Sequence, residues 1–92
     1  MYSQQLIDKI AELASELTPP KEIAVILDID VDLFKAQLAD KHSPAHRAYF
    51  RAKAETARML RRQELEFARV GSPLAVQMTG TFIHDMTADE DF

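Results

Sequence analysis

Arg47, Arg51, Arg58 and Arg62 stand four, seven and four residues apart, with Glu55 between the middle two. At about 3.6 residues per turn, these steps return to one side of an α-helix, so the guanidinium groups form a stripe. Arg69 continues the stripe, Lys53 and Arg61 flank it, and Lys41 leads into it. Guanidinium is a planar fork that matches phosphate oxygens, and a row of cations on a polyanion gains by counterion release. Lys41, Arg47, Arg51, Arg58, Arg61 and Arg62 are therefore candidate phosphate contacts. An acidic partner helix would fit the same row. Most charge runs are solvated faces of mixed sign. Here Glu55 is the only acid between Lys41 and Arg62.

The second pattern is "PPKEIAVILDIDVDLFKAQL", residues 19–38. Ile23, Ala24 and Leu27, then Ile29, Phe34 and Leu38, have the apolar spacing of two short helices crossing closely through a tight turn, a helix-turn-helix. The outward positions of its second helix are Asp32, Lys35, Ala36 and Gln37. Lys35 and Gln37 are the candidates for contact with base edges. Asp32 would repel phosphate, and Asp28 stands at the turn position that glycine often fills.

Other chemistries find little support. His42 and His46 are four apart with Pro44 between them, and His84 is distant, so they read as surface histidines and no metal is expected. With no cysteine, thiol chemistry and disulfides are excluded. No nucleophile–base pair, glycine-rich phosphate loop or paired carboxylates in a cleft stand out. The expectation is a protein that is not an enzyme and needs no cofactor.

The elements that must position these residues are helices. The chain has 92 residues, 47% of them hydrophobic and 28% charged, with only two glycines. That suits one small domain, marginal enough alone to make oligomerisation an expectation. The net charge of −4 conceals three blocks. Residues 1–40 carry three Lys/Arg against eight Asp/Glu, residues 41–62 seven against one, and residues 63–92 one against six, or −5, +6 and −5. No signal-peptide pattern opens the sequence and no apolar run approaches a membrane span, so a cytoplasmic protein without membrane contact is expected.

Ser3 can cap a first helix whose apolar face is Leu6, Ile7, Ile10, Leu13, Ala14 and Leu17. Thr18, Pro19 and Pro20 stop it and open a second, about 20–27, with Thr18 as the cap. Ile23, Ala24, Ile26 and Leu27 are its buried candidates. Asp28, Ile29 and Asp30 form the turn. Asp30 caps a third helix, 31 to about 40, that buries Leu33, Phe34 and Leu38. Ser43 and Pro44 start a long helix running to 70, about 40 Å. Gly71, Ser72 and Pro73 end it and start a last helix, to about 86, with Leu74, Ala75, Met78, Phe82 and Met86 on one side. Gly80 weakens that helix. No period-two run argues for a strand.

On the long helix, the face opposite the stripe holds Tyr49, Ala52, Thr56, Met59 or Leu60, Gln63, Phe67 and Val70. Its small residues suit close helix packing, within the chain or between copies. Tyr49, Ala52, Met59, Phe67, Leu74, Met78 and Phe82 are the candidate oligomerisation residues.

This order of parts resembles the small subunit of phage terminases. Residues 61–82, "RRQELEFARVGSPLAVQMTGTF", are similar to the segment where a Leu- and Ala-rich helix ends in glycine plus a small polar residue. Leu65, Phe67, Ala68, Gly71, Ser72 and Ala75 occupy the corresponding places. The elements and this resemblance together lead to the expectation of an all-α fold: an N-terminal helix-turn-helix-like three-helix bundle (1–43) and a long basic helix with an antiparallel closing helix as oligomerisation hairpin (44–86), followed by an acidic tail (87–92) whose composition predicts disorder. The resemblance further implies a non-enzymatic phage or prophage protein that recognises DNA for viral genome packaging as an oligomer and hands it to a large ATPase–nuclease subunit. The competing expectation is a helical assembly module without DNA binding, its Arg stripe paired with acidic segments such as "DMTADEDF".

Overall fold

The structure is a computed structural model that describes residues 2–70 and 73–92, without the side chains of 68, 70 and 73–79. It is all-α: among the described residues there are five helices and no strand. They are α1 (Gln4–Ser15), α2 (Pro20–Ile26), α3 (Val31–Ala39), α4 (Pro44–Val70) and α5 (Pro73–Ala88).

Local chemistry accounts for most of the boundaries. Ser3 accepts from the Leu6 N–H at 3.2 Å, and Asp30 accepts from the Leu33 N–H at 2.9 Å, so α1 and α3 start at side-chain caps. Ser43 does the same for α4 through the Ala45 N–H at 3.2 Å, with Pro44 in the first turn. α1 closes without a glycine. Leu17 takes a left-handed φ of 60° while the Thr18 N–H bonds back to the Leu13 carbonyl at 3.1 Å. Asp28, in the turn between α2 and α3, has φ 54°, the conformation that glycine fills most easily. The expected caps Gly71 and Ser72 lie outside the described residues.

α2 departs from expectation at its start. Thr18 does not cap it; Pro19 holds the cap position and has no side-chain bond to give. The Lys21 N–H instead donates to Asp89 Oδ2 at 2.6 Å, a carboxylate 68 residues away. The cap is supplied by tertiary structure.

The core draws on every helix. Ile10, Ala14 and Leu17 meet Ile23 and Ala24, Phe34 and Leu38, then Ala45, Tyr49 and Ala52 of α4 and Met86 of α5. It therefore runs across the expected division at 43/44. α1 packs mainly along α4, with the Thr56 hydroxyl donating to the Ser15 carbonyl at 2.7 Å. The alanines of α4 make that approach close. α5 returns antiparallel, bringing Thr87 within 3.1 Å of Lys53 Nζ.

Two apolar expectations fail. Ile26 and Leu33, expected inside, are 59% and 66% exposed. With only seven and nine residues, α2 and α3 each turn one narrow face inward, and Ile23 with Ala24, and Phe34 with Leu38, already fill it.

A basic stripe, a second cationic face and the acidic segment on it

The stripe forms as its spacing requires. Arg47, Arg51, Arg58, Arg61 and Arg62 are all exposed on α4, as is Lys41 in the loop before it. The reason is rotational. Tyr49 and Ala52 point into the core, and the stripe lies about half a turn away from them. Among the described residues only Arg51 of this group has an acid partner, Glu55 at 3.2 Å on the surface. Such an exposed i,i+4 pair is worth a few tenths of a kcal/mol. At its start the stripe borders a groove between α1 and α4, lined by Gln4, Ile7, His42, Arg47 and Arg51. Farther along, Arg58 and Arg62 flank Met59 in a shallow surface groove with Glu55 and Glu66 at its ends.

The expected base-contact pair is placed differently. Lys35 is only 19% exposed, and its ammonium lies 2.6 Å from Asp91 Oδ1 and 3.4 Å from Asp89 Oδ1. The hydrogen bond to Asp91 raises the Lys35 pKa, against a smaller opposing effect of burial. The same bond lowers the Asp91 carboxyl. Gln37 is exposed, and its Oε1 accepts from the Ser43 hydroxyl at 3.0 Å. Lys35 is thus held by the chain itself and is not offered as a free donor.

The segment that holds it is the one expected to be a free tail. Beyond α5, Asp89 bonds the Lys21 N–H and Lys35. Glu90 pairs with Lys53 and accepts from the Tyr49 hydroxyl, and Asp91 takes Lys35. Phe92 sets its ring edge-on to Phe50, with centroids 6.2 Å apart. Burial first, and the Glu90 carboxylate second, push the Tyr49 phenol well above the ordinary tyrosine value. The order along the chain explains the fit. Three consecutive acids alternate direction, two toward Lys35 and one toward Lys53. These acids, expected to pair with the Arg stripe in an assembly module, pair with Lys35 and Lys53 instead. Lys53 is two residues from Arg51, about 200° round the helix, so α4 carries two cationic faces that point apart.

The oligomerisation candidates divide. Tyr49 and Ala52 are buried in the chain's own core, Tyr49 completely, so they are not surface for a second copy. α1, α5 and the acidic segment cover them. Met59, Phe67 and Phe82 are exposed, and Leu65 joins them at 66%. Leu74 and Met78 lie outside the described side chains. His46 packs on Phe50 with centroids 4.6 Å apart and its Nδ1 against the Leu38 carbonyl, a structural role. Among the described residues no three His, Cys, Asp or Glu side chains gather as a metal site would need, and no helix is long and apolar enough to cross a membrane.

Sequence reasoning missed Glu90, Asp89, Asp91 and Phe92 as structural residues. The available signal was the −5 block after a +6 block, which names a class of contact but not the partners. Set against known protein families, curated proteins and solved structures, the chain matches none of them.

Proposed function

We propose that this is a non-enzymatic DNA-binding protein of the phage terminase small subunit type, which holds duplex DNA by its phosphates along α4 and works as an oligomer. One observation carries the reading: Arg47, Arg51, Arg58, Arg61 and Arg62 lie exposed on the side of α4 away from the core, and among the described residues Glu55 is the one acid paired with them. From Arg47 to Arg62 the stripe runs about 22 Å, roughly two thirds of a DNA turn of about 34 Å. Like charges at i,i+4 cost a helix about 0.2–0.5 kcal/mol per pair. A polyanion laid along the stripe removes that cost and releases its own counterions. The mode is phosphate contact, since Lys35 is engaged by Asp91.

A second reading, an assembly module without DNA, is favoured by the exposed Met59, Leu65, Phe67 and Phe82. Both readings share oligomerisation, and DNA separates them. A fluorescence-anisotropy titration of a labelled duplex across salt concentrations is the test. The DNA reading expects affinity to fall steeply with salt and the slope to flatten when Arg51, Arg58 and Arg62 become alanine. No retention of DNA at low salt by a chain of unchanged oligomer size overturns it.

A further inference from the structure

Lys35 and Lys53 come from different helices, α3 and α4, yet they end in one place, and both are largely buried at 19% and 16% side-chain exposure. What fills the place is the run Asp89, Glu90, Asp91. With the segment in place both ammonium groups are largely shielded from water, and each is matched by a carboxylate. The carboxylates supply three charges in the spacing of a short polyanion. Asp89 and Asp91 sit on Lys35 of α3, the helix that DNA-binding helix-turn-helices place in the major groove, and Glu90 sits on Lys53 of α4. Phe92 on Phe50 and Met86 in the core anchor the segment at either end.

From this we infer that residues 89–92 are an intramolecular stand-in for nucleic-acid phosphate, closing Lys35 of α3 and Lys53 of α4 to DNA until they are displaced. The inference rests on the DNA-binding reading and adds regulation to it. The segment is tethered to the site it fills, so its effective concentration is in the millimolar range, and DNA must compete with that. Apparent affinity at these two lysines scales with the fraction of molecules that are open. The Arg stripe faces elsewhere and binds in the closed state. Opening therefore adds a second DNA-contacting face rather than creating the first.

The test is anisotropy with a labelled duplex and three proteins. In D89N/E90Q/D91N the stand-in loses its charge. In D8N/E12Q/E16Q, three exposed acids of α1 and its C-terminal end are neutralised, which matches the net charge without touching the site. The third is the parent chain. The first variant is expected to bind about tenfold more tightly than the charge-matched one, with a salt slope steeper by about two for the two freed lysines. Adding K35A and K53A should remove both gains. Equal affinity of the two charge-matched variants overturns the inference. If circular dichroism shows the triple variant unfolded, D91N against E16Q carries the comparison, since the Asp91 side chain is 69% exposed. There a gain of about threefold is expected and equality overturns. Parent binding that depends on the stripe but is unmoved by the segment overturns this inference alone. No binding by any of the proteins overturns it together with the DNA reading.

Discussion

The Lys35 ammonium lies 2.6 Å from the Asp91 carboxylate, 56 residues along the chain. The pair ties the middle of α3 to the acidic segment that follows α5. It also withdraws Lys35 from solvent, while the arginines of α4 face solvent through their rotation on the helix.

The stripe should behave as a row of independent phosphate contacts. Replacing Arg51, Arg58 and Arg62 by alanine should lower the slope of log affinity against log salt by about 2.7, since each phosphate neutralised on duplex DNA adds about 0.9 to it. Helix content should hold, because all three are exposed. Anisotropy across salt concentrations with parallel circular dichroism measures both.

Tyr49→Phe removes the one hydroxyl that ties the buried ring to Glu90. A hydrogen bond to a charged group is worth about 1.5–3 kcal/mol, part of which the remaining Lys53–Glu90 pair retains. A loss of about 1–2 kcal/mol in urea unfolding is expected. A loss above about 3 kcal/mol would mean that the ring's packing had changed as well.

Backbone conformation makes opposite predictions at two positions. Gly80 lies in α5 with open space where a Cβ would go, so Gly80→Ala should stabilise by about 1 kcal/mol. Asp28 has φ 54°, so Asp28→Ala should destabilise by about 1 kcal/mol while Asp28→Gly stays close to neutral. Thermal unfolding monitored by circular dichroism checks the signs.

The buried phenol and the lysine–carboxylate pairs set a pH window. Tyr49 and Lys35 are raised in the folded chain, so their stabilisation is complete below the ordinary tyrosine and lysine values and is lost as pH climbs past them. Asp91 is lowered, so its contribution is present above the ordinary carboxylate value and is lost as pH falls through its folded value. Docking of the acidic segment should therefore be firmest between about pH 5 and pH 9. Absorbance at tyrosinate wavelengths should rise in step with loss of helix on the alkaline side. A Tyr49 that ionises at the ordinary value while the chain stays folded would contradict the buried placement.

Assembly should depend on the outer part of the helical hairpin. Leu65 and Phe82 are both more than half exposed, and Leu65→Glu with Phe82→Glu should reduce the mass found by light scattering to that of one chain. Tyr49 and Ala52 are already used inside and should influence assembly only through stability.

What the sequence determined by itself was everything governed by neighbours in the chain. The caps at Ser3, Asp30 and Ser43, the left-handed turn at Asp28 and the 27-residue α4 follow from local hydrogen bonding and proline geometry. The solvent-facing stripe follows from three- and four-residue spacing on that helix. Only the tertiary structure decided that Lys35 and Lys53 meet the acids of residues 89–91. Residues 89–92 look like a solvated tail because nothing near them in the chain can pair with them. Their partners, the Lys21 N–H, Lys35, Tyr49 and Lys53, are 37 to 68 residues away and converge only when α5 folds back on α4. The same return covers Tyr49 and Ala52, which spacing alone leaves open to a second copy. Coulomb attraction names the kind of partner an acidic segment wants, but which lysine it reaches depends on where distant helices end.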